Sequence, residues 1–275
     1  MWDIDFITEE DFKNHVRSTI EYYGEKLTPY DLKKFNANVI DPVKLIFDKA
    51  VYNVSWKNII SSEIFRQRDK ANTNEIGYFH QRIFRYIANC RVPNNGQEGG
   101  WDIIFQPSNG YTIGDSIFHT VYVEMKNKHN TMNSSAAGKT YIKMQNKILH
   151  DNDCVCFLVE VIAACSQNKA WSTTVDGQKV SHERIRRVSI DHFYEIVTGE
   201  ENAFMKICIA LPSIINSVLS DMNNSIQRPR DKAYSELKRI SRRFTDRDND
   251  TAMILALYML GFSSYSGFKE FLNLS

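Results

Sequence analysis

The stretch from Cys154 to Ala163 is the least negotiable part of this chain, because nine of its ten residues are apolar and Glu160 is the one exception. A near-continuous apolar run of this length, rich in β-branched residues, reads as a strand buried on both faces. Such a strand needs other strands beside it and further structure over each face. An upstream neighbour is visible in Val121 to Lys126, where Val, Tyr, Val, Glu, Met and Lys alternate. Successive strand side chains point to opposite faces. Val121, Val123 and Met125 therefore form one apolar face, and Tyr122, Glu124 and Lys126 form the other. Between the two runs, Lys139 to Leu149 has helical spacing, with Tyr141, Ile142, Ile148 and Leu149 available to pack inward. The order strand, helix, strand predicts a crossover and a parallel pair.

The polar face of the first run carries chemistry. Trp101 to Phe105 reads as a strand opening at Asp102, followed by a turn at Pro107, Ser108, Asn109 and Gly110. In an antiparallel hairpin the start of one strand lies beside the end of the next, which sets Asp102 next to Glu124 and Lys126. Two carboxylates and a lysine at a strand end suit a hard divalent cation such as Mg²⁺, whose ligands are carboxylate, water and phosphate oxygens. The lysine can orient a water, and the cation can neutralise charge on a phosphoryl group. This is a layout for phosphodiester hydrolysis. A surface Glu/Lys ion pair at a strand end has the same spacing. Glu98 and Asp115 are rivals for the Asp102 position, but Glu98 sits in a glycine-rich loop and Asp115 in or just after the turn.

Residues 1 to about 90 have helical character. Phe12, Val16, Ile20 and Tyr23 make one stripe, and Asp41 before Pro42 is an N-cap signal followed by Val43, Ile46, Phe47 and Ala50 at helical spacing. Ser55 is a cap candidate for a helix with Ile59, Ile60, Ile64 and Phe65 inward. Arg66 to Asn72 reads as a polar connection, and a further helix runs from Asn74 to Ile87 with Ile76, Phe79, Ile83 and Ile87 on one face. Glu75 in the first turn of that helix has a plain reading as a capping box with Asn72, and a functional one as a third carboxylate near the metal. Lys139, Lys143 and Lys147 recur every fourth residue as a basic stripe, which is either a solvated face or a phosphate-facing one. Asp176-Gly177 is a hairpin turn signal, and Arg184 to Val188 reads as another strand. A helix from Asp191 is expected to end near Gly199. A further apolar helical region covers 201 to 221, interrupted or restarted at Pro212. The end of the chain is helical again, with a basic part (Lys238, Arg239, Arg242, Arg243) and an apolar part (Ile254, Leu257, Tyr258, Phe262). Three regions are expected: a helical segment over 1–70 packed on the core, a core over 71–222, and a helical extension over 223–275.

Composition narrows the class. With 275 residues, 43% of them hydrophobic and 24% charged, the chain can bury a sizeable core. No run is read as long and apolar enough to span a bilayer, Thr251 to Leu260 being the nearest, and Asp3, Asp5, Glu9 and Glu10 do not suit a signal peptide. The five cysteines lack C-x-x-C or zinc spacing, with Cys154 and Cys156 expected as buried thiols in a reduced, cytoplasmic setting. His80, His119 and His129 lack the clustered pair that a histidine-metal nuclease needs. A formal net charge of +1 argues against a passive DNA coat. It leaves room for an enzyme whose acidic site offsets a basic face.

Asp102 followed by Glu124-Met125-Lys126 resembles the PD-(D/E)XK nuclease superfamily, with Trp101 where the superfamily's proline stands. Three stretches, Asn74 to Ile87, Val121 to Lys147 and Phe157 to Trp171, resemble type II restriction endonucleases that cut at GGNCC, and the likeness spans roughly residues 10 to 200. The resemblance implies an α/β (α+β) restriction-endonuclease-like core, with a central mixed sheet flanked by helices and helical additions at both ends. It implies Mg²⁺ held by Asp102, Glu124 and the backbone carbonyl of Met125, water positioned by Lys126, and Glu75 close enough to help with metal or water. The expected partners are double-stranded DNA and a second copy in a two-fold dimer, with a DNA methyltransferase in the same system but no stable contact to it, and no membrane. Asn127, Lys128, Asn130, Lys139, Lys143, Arg184 and Arg186 are the candidate DNA-binding residues. The other readings are a repair or junction-type nuclease, or a non-catalytic DNA-binding protein of the same fold.

Overall fold

The apolar run from Cys154 lies in the middle of a six-stranded mixed sheet. The computed structural model describes residues 2–222, 230–245 and 249–262. In chain order its elements are α1 (Glu9–Lys26), α2 (Leu32–Asn36), α3 (Pro42–Tyr52), α4 (Trp56–Arg82), a 3-10 turn (Ile83–Tyr86), β1 (Cys90–Arg91), β2 (Ile103–Phe105), β3 (Tyr111–Ile113), β4 (Ser116–Phe118), β5 (Thr120–Lys128), α5 (Ser134–His150), β6 (Cys154–Ile162), β7 (Asn168–Val175), β8 (Gln178–Ser189), α6 (Ile190–Thr198), α7 (Ala203–Asp221), α8 (Ala233–Ser241) and α9 (Asp250–Phe262). The chain divides into two compact units, one of residues 1–21 and 75–224 and the other of 22–74 and 225–275.

The first unit holds the sheet, in the order β1-β2-β5-β6-β8-β7. β5 and β6 are parallel, as the strand-helix-strand order requires, and β6 and β8 are parallel too. β2 runs antiparallel to β5 with Ile103 opposite Val123, which is the expected hairpin geometry. The loop between them also carries the small β3–β4 hairpin. Every residue of β6 from Cys154 to Glu160 is buried. Val155, Phe157 and Val159 join Val121, Val123 and Met125 in a layer shared with Phe84, Phe193 and Val218. Cys156 and Leu158 face the opposite way, into a layer with Trp101, Tyr141, Met144 and Ile185. α5 covers this second face, the face of Glu124 and Lys126. β7 and β8 are joined at Asp176 and Gly177, both at positive φ (48° and 80°), as a primed hairpin turn demands. α6 stops at Gly199, φ 74°.

Several expectations are corrected. Arg66 to Asn72 is no connection: α4 runs through it for 27 residues. Those residues include good helix formers and no glycine or proline, and Glu63 binds both Arg66 and Gln67 one turn on. The turns are polar all round, and even the side chain they bury, Gln67, is polar and hydrogen-bonded, so apolar spacing is absent from a segment that is helical throughout. α7 likewise passes through Pro212 without interruption. Proline removes one ladder hydrogen bond, while Ala203 and Ile207 before it and Ile214 and Val218 after it are anchored in one core layer. α7 is also long and apolar enough, by length and composition, to cross a membrane, with a mean hydropathy of 1.6, so the expectation that no run qualifies does not hold. Its buried face belongs to the sheet's core. Phe65, Ile142 and Leu149 are exposed where the spacing has them facing inward, and Val43 and Phe47 of the α3 stripe are exposed too.

The second unit has its own core, in which Phe35, Leu45, Ile60, Leu237, Ala256 and Leu257 meet. Asp41 caps α3 by accepting from the Lys44 N–H, as expected, and Ser55 accepts from the Asn58 N–H at the start of α4. Residues 263–275, the end of the expected extension, lie outside the described residues. Phe157 is fully buried and edge-on to Tyr111 and Phe193. Phe157→Ala is therefore expected to cost about 3–5 kcal/mol, read as a lowered denaturation midpoint with an unchanged slope in urea. A loss under about 1 kcal/mol would mean that the centre of the sheet is not packed as described.

Candidate active site

Asp102 stands one residue before β2 and is tied to β5 twice. Its N–H donates to the Val123 carbonyl at 2.9 Å, and its Oδ2 accepts from the Met125 N–H at 2.7 Å. Glu124 projects from the α5 face of β5. Its Oε1 accepts from Lys126 Nζ at 2.8 Å, and its Oε2 accepts from Lys143 Nζ at 2.9 Å. Lys143 also donates to the Gly100 carbonyl at 2.7 Å and lies over the Trp101 ring, 4.2 Å from its centroid. One carboxylate is thus shared by two ammonium groups, one from its own strand and one from the crossover helix.

The two acids are driven apart. Burial, then the negative charge of Glu124, pushes the Asp102 carboxyl up to about 6, against the Met125 N–H and the two lysines. Burial would raise Glu124 as well, but the hydrogen bonds from Lys126 and Lys143 outweigh it and hold this carboxyl below its ordinary value. A cation beside Asp102 would relieve the repulsion between its ionised carboxyl and Glu124, whose own two oxygens already accept from ammonium groups. The donor set suits a hard cation: two carboxylates, plus the Met125 carbonyl. A strand residue's N–H and C=O leave on the same side, so this carbonyl shares the side on which Met125 meets Asp102. Among the described residues no three His, Cys, Asp or Glu side chains converge as a self-sufficient metal cage. Mg²⁺ in phosphoryl-transfer sites uses one or two carboxylates and completes its shell with water and substrate.

Glu75 is not a cap, because α4 starts nineteen residues earlier, at Trp56. It is 2% exposed and binds Arg82 two helical turns on, Nη1 to Oε1 at 3.0 Å. Arg82 stacks on Tyr78, 4.7 Å to the ring centroid, and both line a 330 Å³ cleft together with Arg85, Asn94, Gly100 and Asp102. Glu75 is thus joined to the Asp102 cleft through Arg82. The i, i+7 spacing of Glu75 and Arg82 was the available signal. Burial pushes the neighbouring His80 down to about 4.

The remaining candidates scatter. Asn127 and Lys128 end β5 and Asn130 lies in the turn after it, the latter two exposed, as is Lys139 on α5. Lys143 is drawn into the site at Glu124, and Lys147 pairs with Asp151 and covers the Tyr122 ring. Arg184 gives its guanidinium to the carbonyls of Ile148 and Asn152, each at 3.0 Å, at the far end of α5. Arg186 binds both oxygens of Asn168 at 2.7 and 2.8 Å. Both arginines hold the protein together. Of the rivals to Asp102, Glu98 pairs with Arg91, and Asp115 is exposed in the β3–β4 turn.

A carboxyl at about 6 in the fold, against about 3.9 unfolded, means that the folded state holds this proton more tightly. Its contribution to stability falls as pH rises from about 4 through 6 and stays lower above that. In EDTA at pH 8, Asp102→Asn should therefore be more stable than wild type, by up to roughly 2 kcal/mol. The gain should vanish near pH 4, where the wild-type carboxyl is protonated. Thermal melts across this range check it, and a difference that ignores pH would mean that Asp102 bears no such load.

A family model described as Eco47II restriction endonuclease matches residues 4–220. The type II restriction enzyme Sau96I of Staphylococcus aureus is 30% identical over 217 residues, covering 76% of this chain and 78% of that protein. The type II restriction enzyme Eco47II of Escherichia coli is 25% identical over 229 residues, covering 79% of this chain and 89% of that protein. The matched span contains the whole sheet and every residue of the Asp102–Glu124–Lys126 site, and the chain belongs to the Eco47II restriction endonuclease family.

Proposed function

We propose that this chain is a Mg²⁺-dependent type II site-specific deoxyribonuclease that hydrolyses double-stranded DNA at GGNCC or a related short palindrome. The observation that carries this reading is the meeting of Asp102, Glu124 and Lys126 at the edge of β5, in a chain of a restriction endonuclease family. Asp102, Glu124 and the Met125 carbonyl would hold the cation, which when bound neutralises charge on the phosphoryl oxygens. Lys126 orients the attacking water, and its ammonium is itself held in place by Glu124. Lys143 steadies the other oxygen of Glu124. Glu75 acts through Arg82, keeping a guanidinium on the wall of the Asp102 cleft. A binding module with no chemistry to perform gains nothing from two half-buried carboxyls whose charges oppose each other. In this reading residues 71–222 are the nuclease core. The protein works in the cytoplasm as a two-fold dimer, since a palindromic site is matched by a symmetric protein. A methyltransferase protects the host's copies of the site. Asn127, Lys128, Asn130 and Lys139 meet DNA.

Incubation of plasmid DNA with the protein and Mg²⁺ tests the reading directly. Discrete fragments with ends mapping to one short site are expected, and a smear or uncut DNA overturns it. Lys126→Ala should lose cleavage by at least about 100-fold while still binding the duplex, because affinity comes from many phosphate contacts. Asp102→Ala and Glu124→Ala should each abolish cleavage, and full rescue by excess Mg²⁺ would demote that carboxylate to a helper. The exposed Lys139 and the engaged Lys143 should separate. Lys139→Ala should reduce the slope of log K against log salt by roughly 0.9, on specific and random duplexes alike. Lys143→Ala should damage cleavage more than binding. Measurement in EDTA isolates binding, and equal behaviour of the two variants would dissolve the distinction.

A further inference from the structure

Glu160 is the one charged residue in the buried length of β6, and it is 0% exposed. Its two oxygens are taken by one guanidinium: Arg187 Nε donates to Oε2 at 2.9 Å, and Arg187 Nη2 donates to Oε1 at 2.5 Å. Nη2 also reaches the His129 carbonyl at 3.4 Å, in the turn that follows β5. The sheet register places this pair. Glu124, Leu158 and Arg187 stand in one transverse row across β5, β6 and β8, and Lys126 and Glu160 stand side by side one step further along. Leu158 and Ile185 point into the layer under α5. The two-residue period therefore puts Arg187 and Glu160 on the same face as Glu124 and Lys126.

We propose that Arg187 is a DNA-phosphate-binding residue of the active face, and that the buried Glu160 is the positioning residue that holds its guanidinium in place. This rests on the nuclease reading above. A carboxylate sealed at the end of the buried length of an apolar strand has no packing advantage over leucine, and leaving water is costly to it. What it does is grip the Nε–Nη2 side of a planar guanidinium, which fixes the direction of the rest. The rest is the Nη1 amide-like pair of N–H groups, which makes no hydrogen bond among the described residues, on a side chain 28% exposed. Two other arginines of the same strand show the contrast: Arg184 and Arg186 turn their guanidinium groups onto protein oxygens. An N–H of Nη1 on a fixed, partly exposed guanidinium can make a charge-assisted hydrogen bond to a phosphate oxygen. β8 lies two strands from β5, about 9.5 Å, so the phosphate it takes is a neighbour of the one being cut.

The test is a salt titration of duplex binding in EDTA, on a duplex that wild type cuts and on a random one. The variants are Arg187→Ala, Arg187→Lys, and the double variant Glu160→Gln with Arg187→Gln, which leaves no unpaired charge in the sheet. Arg187→Ala and the double variant should weaken binding to both duplexes by roughly tenfold and reduce the salt slope by roughly 0.9. Arg187→Lys should keep the slope, because the charge remains, while losing part of the affinity because an ammonium is not held in direction by Glu160 as the guanidinium is. A role confined to structure would lower melting temperature and leave the slope of the folded variants untouched. For wild type alone, replacing single phosphates with uncharged methylphosphonates should reveal one position beside the cut that weakens binding. Absence of any such position, or an unchanged slope in a variant that melts like wild type, overturns the proposal. Wild-type cleavage on the same plasmid separates the two levels: if wild type cuts and the slopes do not move, only the assignment of Arg187 fails.

Discussion

Burial of β6 on both faces is the constraint from which the rest of the sheet-bearing unit follows. A strand with seven consecutive buried residues must have parallel or antiparallel partners on each edge and cover on each side. β5 and β8 supply the edges, both parallel to it. A parallel neighbour cannot be reached by a tight turn, so the chain must leave the sheet and return, and α5 is that detour. It lies over the face that carries Glu124. The same requirement that keeps water from Leu158 thus brings Lys143 within hydrogen-bond distance of Glu124.

The site sits where this packing ends. Asp102 precedes the first paired residue of β2, and Glu124 and Lys126 are only partly covered. Partial burial is what makes their charges matter: it raises Asp102, and against it the hydrogen bonds and charges of the two ammonium groups hold Glu124 down. Beside this pair lie two arginines, each gripped by a nearly or fully buried glutamate, Arg82 by Glu75 and Arg187 by Glu160. A buried ion pair adds little to stability compared with apolar packing, so the consequence to look for is orientation. Both guanidinium groups keep an exposed part, 38% and 28% of the side chain, on the cleft beside Asp102 and on the face of Glu124 respectively.

Local sequence determined more of this protein than its boundaries suggest. The alternation in Val121 to Lys126 and the unbroken apolar run from Cys154 named the two central strands, because period and burial are written residue by residue. The hairpin that sets Asp102 beside Glu124 followed from turn chemistry, as did the primed turn at Asp176 and Gly177 and the end of α6 at Gly199. Polarity and a lone proline are weak break signals here: Arg66 to Asn72 is two polar turns of α4 with Gln67 buried among them, and Pro212 is carried through α7 by burial on both sides of it.

Only the tertiary structure decided which charges meet. Lys139, Lys143 and Lys147 look alike as a stripe, yet one is exposed, one holds Glu124 and one holds Asp151. Arg184, Arg186 and Arg187 are near neighbours in one strand, yet two are turned onto protein oxygens and one onto a buried glutamate. The first twenty-one residues join the sheet-bearing unit while the next fifty-three do not. A side chain's period tells which face it leaves from, and that much is local. Its partner is set by what another element, distant in sequence, brings to the same face, and no short stretch of sequence carries that information.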